Sequence, residues 1–248
     1  MPHPFFAASR PLVFAHRGGS ALAPENTIAA FDNGLALGAD GLELDVHLSR
    51  DGRVVVHHDR TLDRTTTLRG LIAERSRDEL ARADVPTLAD VLARYRDARI
   101  IIELKVNRRE LAIAVVDVVR RADAVERVCL GSFGLRVLRA VRAIEPAIAT
   151  SAAREEVRWA LYRSWCRWPV SHVGYGGYQV PESAGRTRVV SRWFVEGAHR
   201  AGLGVQVWTV DVEQDARRLL GWGVDALITD RPDVIVPIVA NRVVAKSP

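Results

Sequence analysis

Short apolar runs alternate with amphipathic segments along most of the chain. Runs typical of buried strands begin at Leu12, Gly41 and Arg99, and later ones cover residues 127–130, 147–151, 171–175, 204–210 and 225–229. Helical periodicity appears between and after them at residues 88–95, 110–122, 135–144, 155–163, 192–201, 214–220 and 232–239. The first helix is predicted between Pro24-Glu-Asn-Thr27, which is typical of a cap, and Gly38, which is typical of a helix end.

Eight strands in alternation with helices predict an α/β fold, the (β/α)8 TIM barrel, because parallel strands need helical crossovers. The chain has 248 residues, of which 48% are hydrophobic, so residues 1–248 are predicted to form a single domain. Residues 60–85 are polar and charged and predict a short, loop-rich insertion after the second strand. Gln179 follows a Gly/Tyr-rich run and is predicted in a strand-end loop, with its role left open.

Acidic and apolar residues alternate in the second predicted strand, Gly41-Leu-Glu-Leu-Asp-Val46. Because successive side chains of a strand point to opposite faces, Glu43 and Asp45 share one face. The third strand repeats this pattern with Glu103 and Lys105. If both strands join one sheet, three carboxylates and a lysine converge.

Clustered carboxylates repel one another, so they either bind protons or require a cation. Glu43, Asp45 and Glu103 therefore predict a site for one divalent cation, and oxygen ligands favour Mg²⁺ or Ca²⁺. The alternative is that each acid pairs with one of the many arginines. Lys105 is unusual because the chain has 33 arginines and two lysines. A compact ammonium approaches a phosphate oxygen or a carboxylate where a planar guanidinium would not fit, although chance is the alternative.

Two histidines end predicted strands. His16 closes the run from Leu12 and is followed by Arg17-Gly-Gly19, where the backbone can turn sharply. His58 shares a face with the preceding valines, whereas its neighbour His57 points the other way. Because imidazoles titrate near neutrality, His16 and His58 are predicted to act as acid and base. The role of His47 is left open, and structural roles are expected for His3, His57, His172 and His199.

Short motifs occur in a fixed order over almost the whole chain. They are Ala15-His-Arg-Gly-Gly-Ser20, Pro24-Glu-Asn-Thr27, Gly38-Ala-Asp40, Glu43-Leu-Asp-Val46, Asp51-Gly52, His58-Asp59, Asp63-Arg-Thr-Thr66, Glu103-Leu-Lys105, Trp208-Thr209 and Ile228-Thr-Asp-Arg-Pro232. No single motif is specific, but their order and spacing together resemble the glycerophosphodiester phosphodiesterase family.

This resemblance implies a TIM barrel that hydrolyses glycerophosphodiesters to sn-glycerol 3-phosphate and an alcohol, through a cyclic glycerol phosphate. The residues that match the family's functional positions are His16 and His58 as the acid/base pair, Glu43, Asp45 and Glu103 as ligands of one Mg²⁺ or Ca²⁺, and Arg17 and Lys105 as phosphate-binding groups. Trp208 resembles the family's residue that packs against the glycerol part of the substrate. Ordinary packing inside the barrel is the alternative. Glu25, Asn26 and Asp230 are expected to cap helices, and contact of Glu25 or Asn26 with the site is the lesser alternative.

Three other functions remain open at this point. A lysophospholipase D would use the same site on longer lipids. A lyase or isomerase of the enolase kind also uses strand-end carboxylates, Mg²⁺ and a lysine, but it has no need for the His16–His58 pair. A non-catalytic barrel that binds glycerophosphodiesters would be expected to lose a histidine or a metal ligand, yet all these positions are filled.

The net charge is +5, and the arginines that produce it are spread along the chain rather than gathered in a block. The expected partner is therefore a small anionic substrate, not nucleic acid. The N-terminus lacks a signal-like pattern and no apolar run is long enough to span a bilayer, so we expect a cytoplasmic protein without stable membrane insertion. Cys129 and Cys166 are expected to be reduced and buried, and the sequence leaves the oligomeric state open.

Overall fold

The computed structural model describes residues 3–166, 168–170 and 173–244. In these ranges the strands are β1 (Leu12–His16), β2 (Gly41–Leu48), β3 (Val54–Val56), β4 (Arg99–Leu104), β5 (Val128–Gly131), β6 (Ala149–Thr150), β7 (Gly177–Pro181), β8 (Ser183–Ala184), β9 (Thr187–Arg188), β10 (Gly204–Trp208) and β11 (Ala226–Thr229). The helices are α1 (Ile28–Ala36), α2 (Arg77–Ala81), α3 (Leu88–Arg94), α4 (Arg109–Arg121), α5 (Leu135–Ile144), α6 (Arg154–Trp165), α7 (Arg192–Arg200), α8 (Glu213–Trp222) and α9 (Pro232–Val244).

Eight of these strands form a parallel barrel in the order β6-β5-β4-β2-β1-β11-β10-β7. The ring closes where β6 meets β7 through a single parallel bridge between Ser151 and Gly177. This architecture confirms the predicted TIM barrel. Its strands alternate as expected, with Leu42, Leu44 and Val46 packed under the helices and the acidic residues of β2 facing the interior.

The amino-terminal end of the barrel is closed by aromatic side chains. Phe5 and Phe6 form a short helical turn before β1, and Phe5 stacks on Phe14 inside the barrel with ring centroids 6.0 Å apart. Gly177 and Gly204 lie directly against the Phe6 ring, where a Cβ atom would clash. The carboxyl ends of the strands are therefore the open end of the barrel.

The insertion after the second barrel strand is confirmed, but it has a small core of its own. Strand β3 pairs antiparallel with the end of β2, and α2 follows before the chain reaches α3. The residues that pack together here are Val55, Leu62, Ile72, Leu80 and Val85. This cluster makes the segment a folded lobe beside the mouth rather than a polar loop.

Three predictions in the middle of the chain are wrong. The sixth barrel strand is β7, later than the predicted 171–175, and residues 171 and 172, including His172, lie outside the described residues. Gln179 therefore lies within a strand, where its side-chain amide donates to Gln206 Oε1 at 2.9 Å. Cys129 is buried as expected, but Cys166 is exposed at the end of α6.

Candidate active site

Three carboxylates meet at the carboxyl ends of two neighbouring strands. Glu43 and Asp45 extend from β2 and Glu103 from β4, and Asp45 is directly paired with Glu103 in the sheet register. One oxygen from each of the three side chains lies within 4.8 Å of the others. The side chains that the alternating pattern places on one face therefore form a compact, inward-facing cluster.

The three carboxylates of the cluster lie close together in a largely dry setting. Burial, together with the nearby Asp45 carboxylate, raises the pKa of Glu43 to about 8. Burial also raises the pKa of Glu103. Burial opposes the ionisation of Asp45 too, but the Lys105 and Arg17 cations outweigh it and hold the pKa of Asp45 below its usual value. Three convergent oxygens with unbalanced charge fit a hard divalent cation.

Two cations border the carboxylates. The backbone N–H of Arg17 donates to Glu43 Oε2 at 3.1 Å, and its Nε lies 3.2 Å from Asp45 Oδ2. Lys105 Nζ lies 3.3 Å from oxygens of both Asp45 and Glu103. Arg17 has a positive φ of 50°, a conformation that turns its backbone N–H toward the cluster. A site for an anionic group therefore lies next to the carboxylates.

His16 is held between two carboxylates. Its Nδ1 lies 2.7 Å from Asp230 Oδ1, at the end of β11, and its Nε2 lies 3.7 Å from Glu43 Oε2. Burial favours the neutral ring, but the charges of Glu43 and Asp230 outweigh it and raise the pKa of His16 to about 9. Asp230 is thus a partner of His16 and not the helix cap that was expected.

His58 approaches the cluster from the inserted lobe. Its Nδ1 lies 2.6 Å from Asp59 Oδ1, and its proximity to Asp45 is a minor cause of the lowered pKa of that carboxyl. Hydrogen bonds from Arg64 hold the pKa of Asp59 well below its usual range. His16 thus ends β1 as predicted, whereas His58 lies two residues beyond the end of β3 and not at a strand end.

Arg64 and two residues of the loop before α1 complete the surroundings. Arg64 donates to Glu25 at 2.7 and 2.8 Å and to Asp59 at 2.7 and 3.2 Å, and Glu25 in turn accepts from Arg17 at 3.2 Å. Asn26 donates its side-chain amide to Asp45 Oδ2 at 3.0 Å. The expectation that Glu25 and Asn26 cap α1 is wrong, because Thr27 is the residue that accepts from the helix backbone. Contact of Glu25 or Asn26 with the site was the lesser alternative in the sequence, whereas no local pattern pointed to Arg64.

An open cleft of about 300 Å³ adjoins the cluster on its β4 side. It is lined by Glu103, Lys105, Asn107, Ser132, Phe133, Arg154 and Glu155, among others. Phe133 lies edge-on to Trp208, with ring centroids 6.0 Å apart. Trp208 also packs, partly buried, against the apolar interior of the barrel, which is the packing role that the sequence left as the alternative.

The other described histidines lie in local networks. His57 bonds to the backbone oxygen of Asp59 and to Thr65, and His47 Nε2 lies 3.1 Å from the backbone oxygen of His58. His3 contacts the backbone oxygen of Ala147, and His199 pairs with Asp225. His47 thus supports the loop that carries His58. None of these four is placed in the carboxylate cluster by its contacts among the described residues.

The fold and the position of the charged groups define the class of this protein. TIM-barrel enzymes carry their catalytic groups at the carboxyl ends of the strands, where these carboxylates, cations and imidazoles meet. The chain is therefore a TIM-barrel enzyme. Residues 16–234 match the model of the glycerophosphoryl diester phosphodiesterase family, and the chain belongs to that family.

Relatives cover nearly the full length of the chain. The uncharacterized protein YqiK of Bacillus subtilis is 34% identical over 93% of this chain and 99% of its own. A glycerophosphodiester phosphodiesterase of Caldanaerobacter subterraneus is 30% identical, with coverage of 92% and 97%. The structure of an Oleispira antarctica phosphodiesterase in complex with the product sn-glycerol-3-phosphate superposes with a TM-score of 0.75 at 28% identity, covering 93% and 97%. Among the described residues, no helix is both long and apolar enough to cross a membrane.

Proposed function

We propose that this protein hydrolyses glycerophosphodiesters to sn-glycerol 3-phosphate and an alcohol, with His16 and His58 as its acid/base pair. The observation that carries the proposal is that each imidazole has its Nδ1 engaged by a carboxylate, at 2.7 Å for His16 and 2.6 Å for His58. This arrangement fixes the ring and leaves Nε2 as the atom that exchanges protons. The Oleispira antarctica relative that holds sn-glycerol-3-phosphate supports the same product here.

The reaction proceeds in two steps that need no nucleophile from the protein. In the first, the 2-hydroxyl of the glycerol attacks phosphorus while one imidazole accepts its proton. The bond between phosphorus and the leaving alcohol breaks, and the other imidazole donates a proton to that oxygen. In the second step, water opens the cyclic phosphate with the two roles reversed. An internal hydroxyl gains from a high effective concentration, which explains why no serine or cysteine nucleophile is needed.

The charged side chains bind and orient the phosphate. Arg17 and Lys105 lie beside the cluster and are assigned to the non-bridging oxygens, where charge grows as the hydroxyl attacks. Glu43, Asp45 and Glu103 would hold one Mg²⁺ or Ca²⁺. That cation would neutralise the carboxylates and supply further positive charge beside the phosphate. Each well-placed charge of this kind contributes roughly 3 kcal/mol to the transition state.

The cleft beside Glu103 and Lys105 is assigned to the leaving alcohol. It adjoins the cluster at Glu103, and Phe133, whose ring packs edge-on against Trp208, gives it an aromatic edge. A small head group fits its volume of about 300 Å³. A lysophospholipase D activity would instead need the acyl chain to leave the cleft along that aromatic edge. The assay below therefore includes a lysolipid as a substrate.

The test is the release of sn-glycerol 3-phosphate by metal-stripped protein after addition of Mg²⁺ or Ca²⁺. Glycerophosphocholine, glycerophosphoethanolamine and a lysolipid are the substrates. His16→Ala and His58→Ala should each abolish turnover while metal still binds, whereas the matched control His199→Ala, at a pair remote from the cluster, should not. Glu43→Gln should raise the metal concentration needed for half-maximal rate. Near-normal rates in either histidine variant would refute the acid/base assignment.

A further inference from the structure

A cluster of aromatic side chains is exposed on the flank of the barrel formed by α6 and α7, and we call it the aromatic face. Its members, with the exposed fraction of each, are Trp159 (68%), Tyr162 (48%), Trp165 (60%), Trp168 (69%) and Trp193 (55%). The rings of Trp159 and Tyr162 are 6.3 Å apart, and those of Tyr162 and Trp165 are 5.5 Å apart. Trp159, Tyr162 and Trp165 therefore form a contiguous row along α6, and Trp168 and Trp193 lie together at a shallow surface depression between α6 and α7.

Helix α6 is apolar on two sides, and only one of them is used by the fold. Ala160 and Leu161 are buried against the barrel together with Phe194 of α7. The tryptophans point outward into solvent instead. Monomeric proteins rarely expose a large contiguous apolar patch unless it contacts something. The packing of α6 therefore accounts for its inner side but not for the aromatic face.

Arginines outnumber unpaired acids around the aromatic face. No aspartate or glutamate occurs between Glu156 and Glu182, a stretch that contains Arg158 and Arg163. The acids nearby are Glu155, one turn before Trp159, and Glu196 of α7, which is paired with Arg192. Arg158 and Arg163 are exposed beside the tryptophans. Elsewhere on the helices, arginines commonly pair with acids of the same helix, as Arg121 does with Asp117. The surface is thus both aromatic and locally cationic.

Tryptophan, tyrosine and arginine together match the chemistry of an anionic bilayer surface. The rings of Trp and Tyr prefer the boundary between lipid head groups and hydrocarbon, where the apolar ring and the polar N–H or O–H are both satisfied. Guanidinium groups bind lipid phosphates in a bidentate fashion. An arginine near such a surface contributes roughly 1 kcal/mol of attraction.

We propose that the aromatic face docks this protein onto membranes that contain anionic lipids. Helix α6 begins with Arg154 at the cleft beside the mouth and runs back along the barrel, so Trp165 and Trp168 lie toward the opposite end. Docking on this flank leaves the mouth open to dissolved substrate. The proposal does not depend on the proposed reaction, because binding to vesicles is measured without turnover.

The test is cosedimentation of the full chain with vesicles of phosphatidylcholine, with and without phosphatidylglycerol. We expect binding to the vesicles that contain phosphatidylglycerol, and at least tenfold weaker partitioning to phosphatidylcholine alone. Trp165→Ala with Trp168→Ala should abolish sedimentation. Arg158→Gln alone should lower the partition coefficient about fivefold, which is the equivalent of roughly 1 kcal/mol. Rising salt should weaken binding of the unchanged protein.

The matched control combines Ile113→Ala with Arg139→Gln on α4 and α5, which removes an exposed apolar side chain and an exposed arginine from another flank. It should bind as the unchanged protein does. Circular dichroism and the thermal midpoint show that each variant is folded. Absence of binding to phosphatidylglycerol vesicles, or equal loss in the control, would overturn the proposal. So would self-association that the tryptophan substitutions abolish, because the face would then contact a second copy of the chain.

Discussion

Replacement of Arg64 by glutamine tests whether one exposed arginine holds the proposed catalytic and phosphate-binding groups in place. Its guanidinium bridges Asp59, the partner of His58, and Glu25, the partner of Arg17. Removal of the guanidinium frees both carboxylates at once. Neither His58 nor Arg17 would touch the substituted residue, so any loss of rate must act through their partners.

The effects on stability and on rate should differ in size. The Arg64 side chain is 49% exposed, and exposed ion pairs contribute about 0.2–1 kcal/mol each, so two of them predict a loss near 1 kcal/mol. Catalysis is more sensitive to position, because a misplacement of about 1 Å can lower a rate roughly 100-fold. We therefore expect kcat for glycerophosphocholine to fall about tenfold to 100-fold. Arg64→Lys should recover little, since an ammonium cannot bond both carboxylates in a bidentate manner.

Arg94→Gln is the matched control for this experiment. Arg94 also makes a bidentate pair, with Asp32 at 3.0 and 2.7 Å, and its side chain is 53% exposed. Both variants should lose similar free energy of unfolding in urea titrations, but only Arg64→Gln should lose activity. Equal kcat values for the two variants would show that Asp59 and Glu25 hold their partners without help, and would refute the reasoning.

Three further predictions concern single side chains. Lys105→Arg should lower kcat about 100-fold although the charge is unchanged. The reason is that Nζ lies 3.3 Å from two carboxylates, a position that suits a compact ammonium and not a planar guanidinium. A variant with unchanged kcat would contradict this reasoning. Burial raises the pKa of the Cys129 thiol, so in the folded protein a disulfide reagent should label exposed Cys166 alone, and both thiols only in denaturant. The hydrogen bond to Asp225 raises the pKa of His199, so the stability that this pair contributes is fully present below pH about 6.5 and is lost as the pH rises through the raised value. In urea titrations, His199→Gln should be less stable than the unchanged protein by less than about 1 kcal/mol at pH 5.5 and equally stable at pH 9. A loss of stability that grows with pH would count against this reasoning.

Much of the fold could be predicted because local pattern and global architecture agree. In β2 the alternation of acidic and apolar residues matches a barrel strand with a polar mouth inside and helices outside. The same rule places Glu103 near the end of β4 and Lys105 just beyond it. It requires only the order of residues within each strand, so it needs no knowledge of distant contacts.

The sixth barrel strand shows where that rule fails. Tyr175 and Tyr178 are both typical of strands, so local pattern allows the strand to begin at either. The glycines between them decide where β7 begins. Gly177 fits against the Phe6 ring, which belongs to the turn at the other end of the chain. The start of β7 depends on packing against Phe6, which is distant in the sequence, so local periodicity cannot predict it.

The same limit explains which site residues escaped prediction. The residues that carry charge at strand ends were found from local spacing, but their partners come from other segments. Asp230 meets His16 across 214 residues, Arg64 meets Glu25 across 39, and Asn26 meets Asp45 across 19. In the sequence, each partner is explained adequately as a helix cap or a surface charge, so nothing local favours its contact with the site. Only closure of the barrel brings β11 beside β1 and turns the carboxylate of Asp230 from a cap into the group that orients His16.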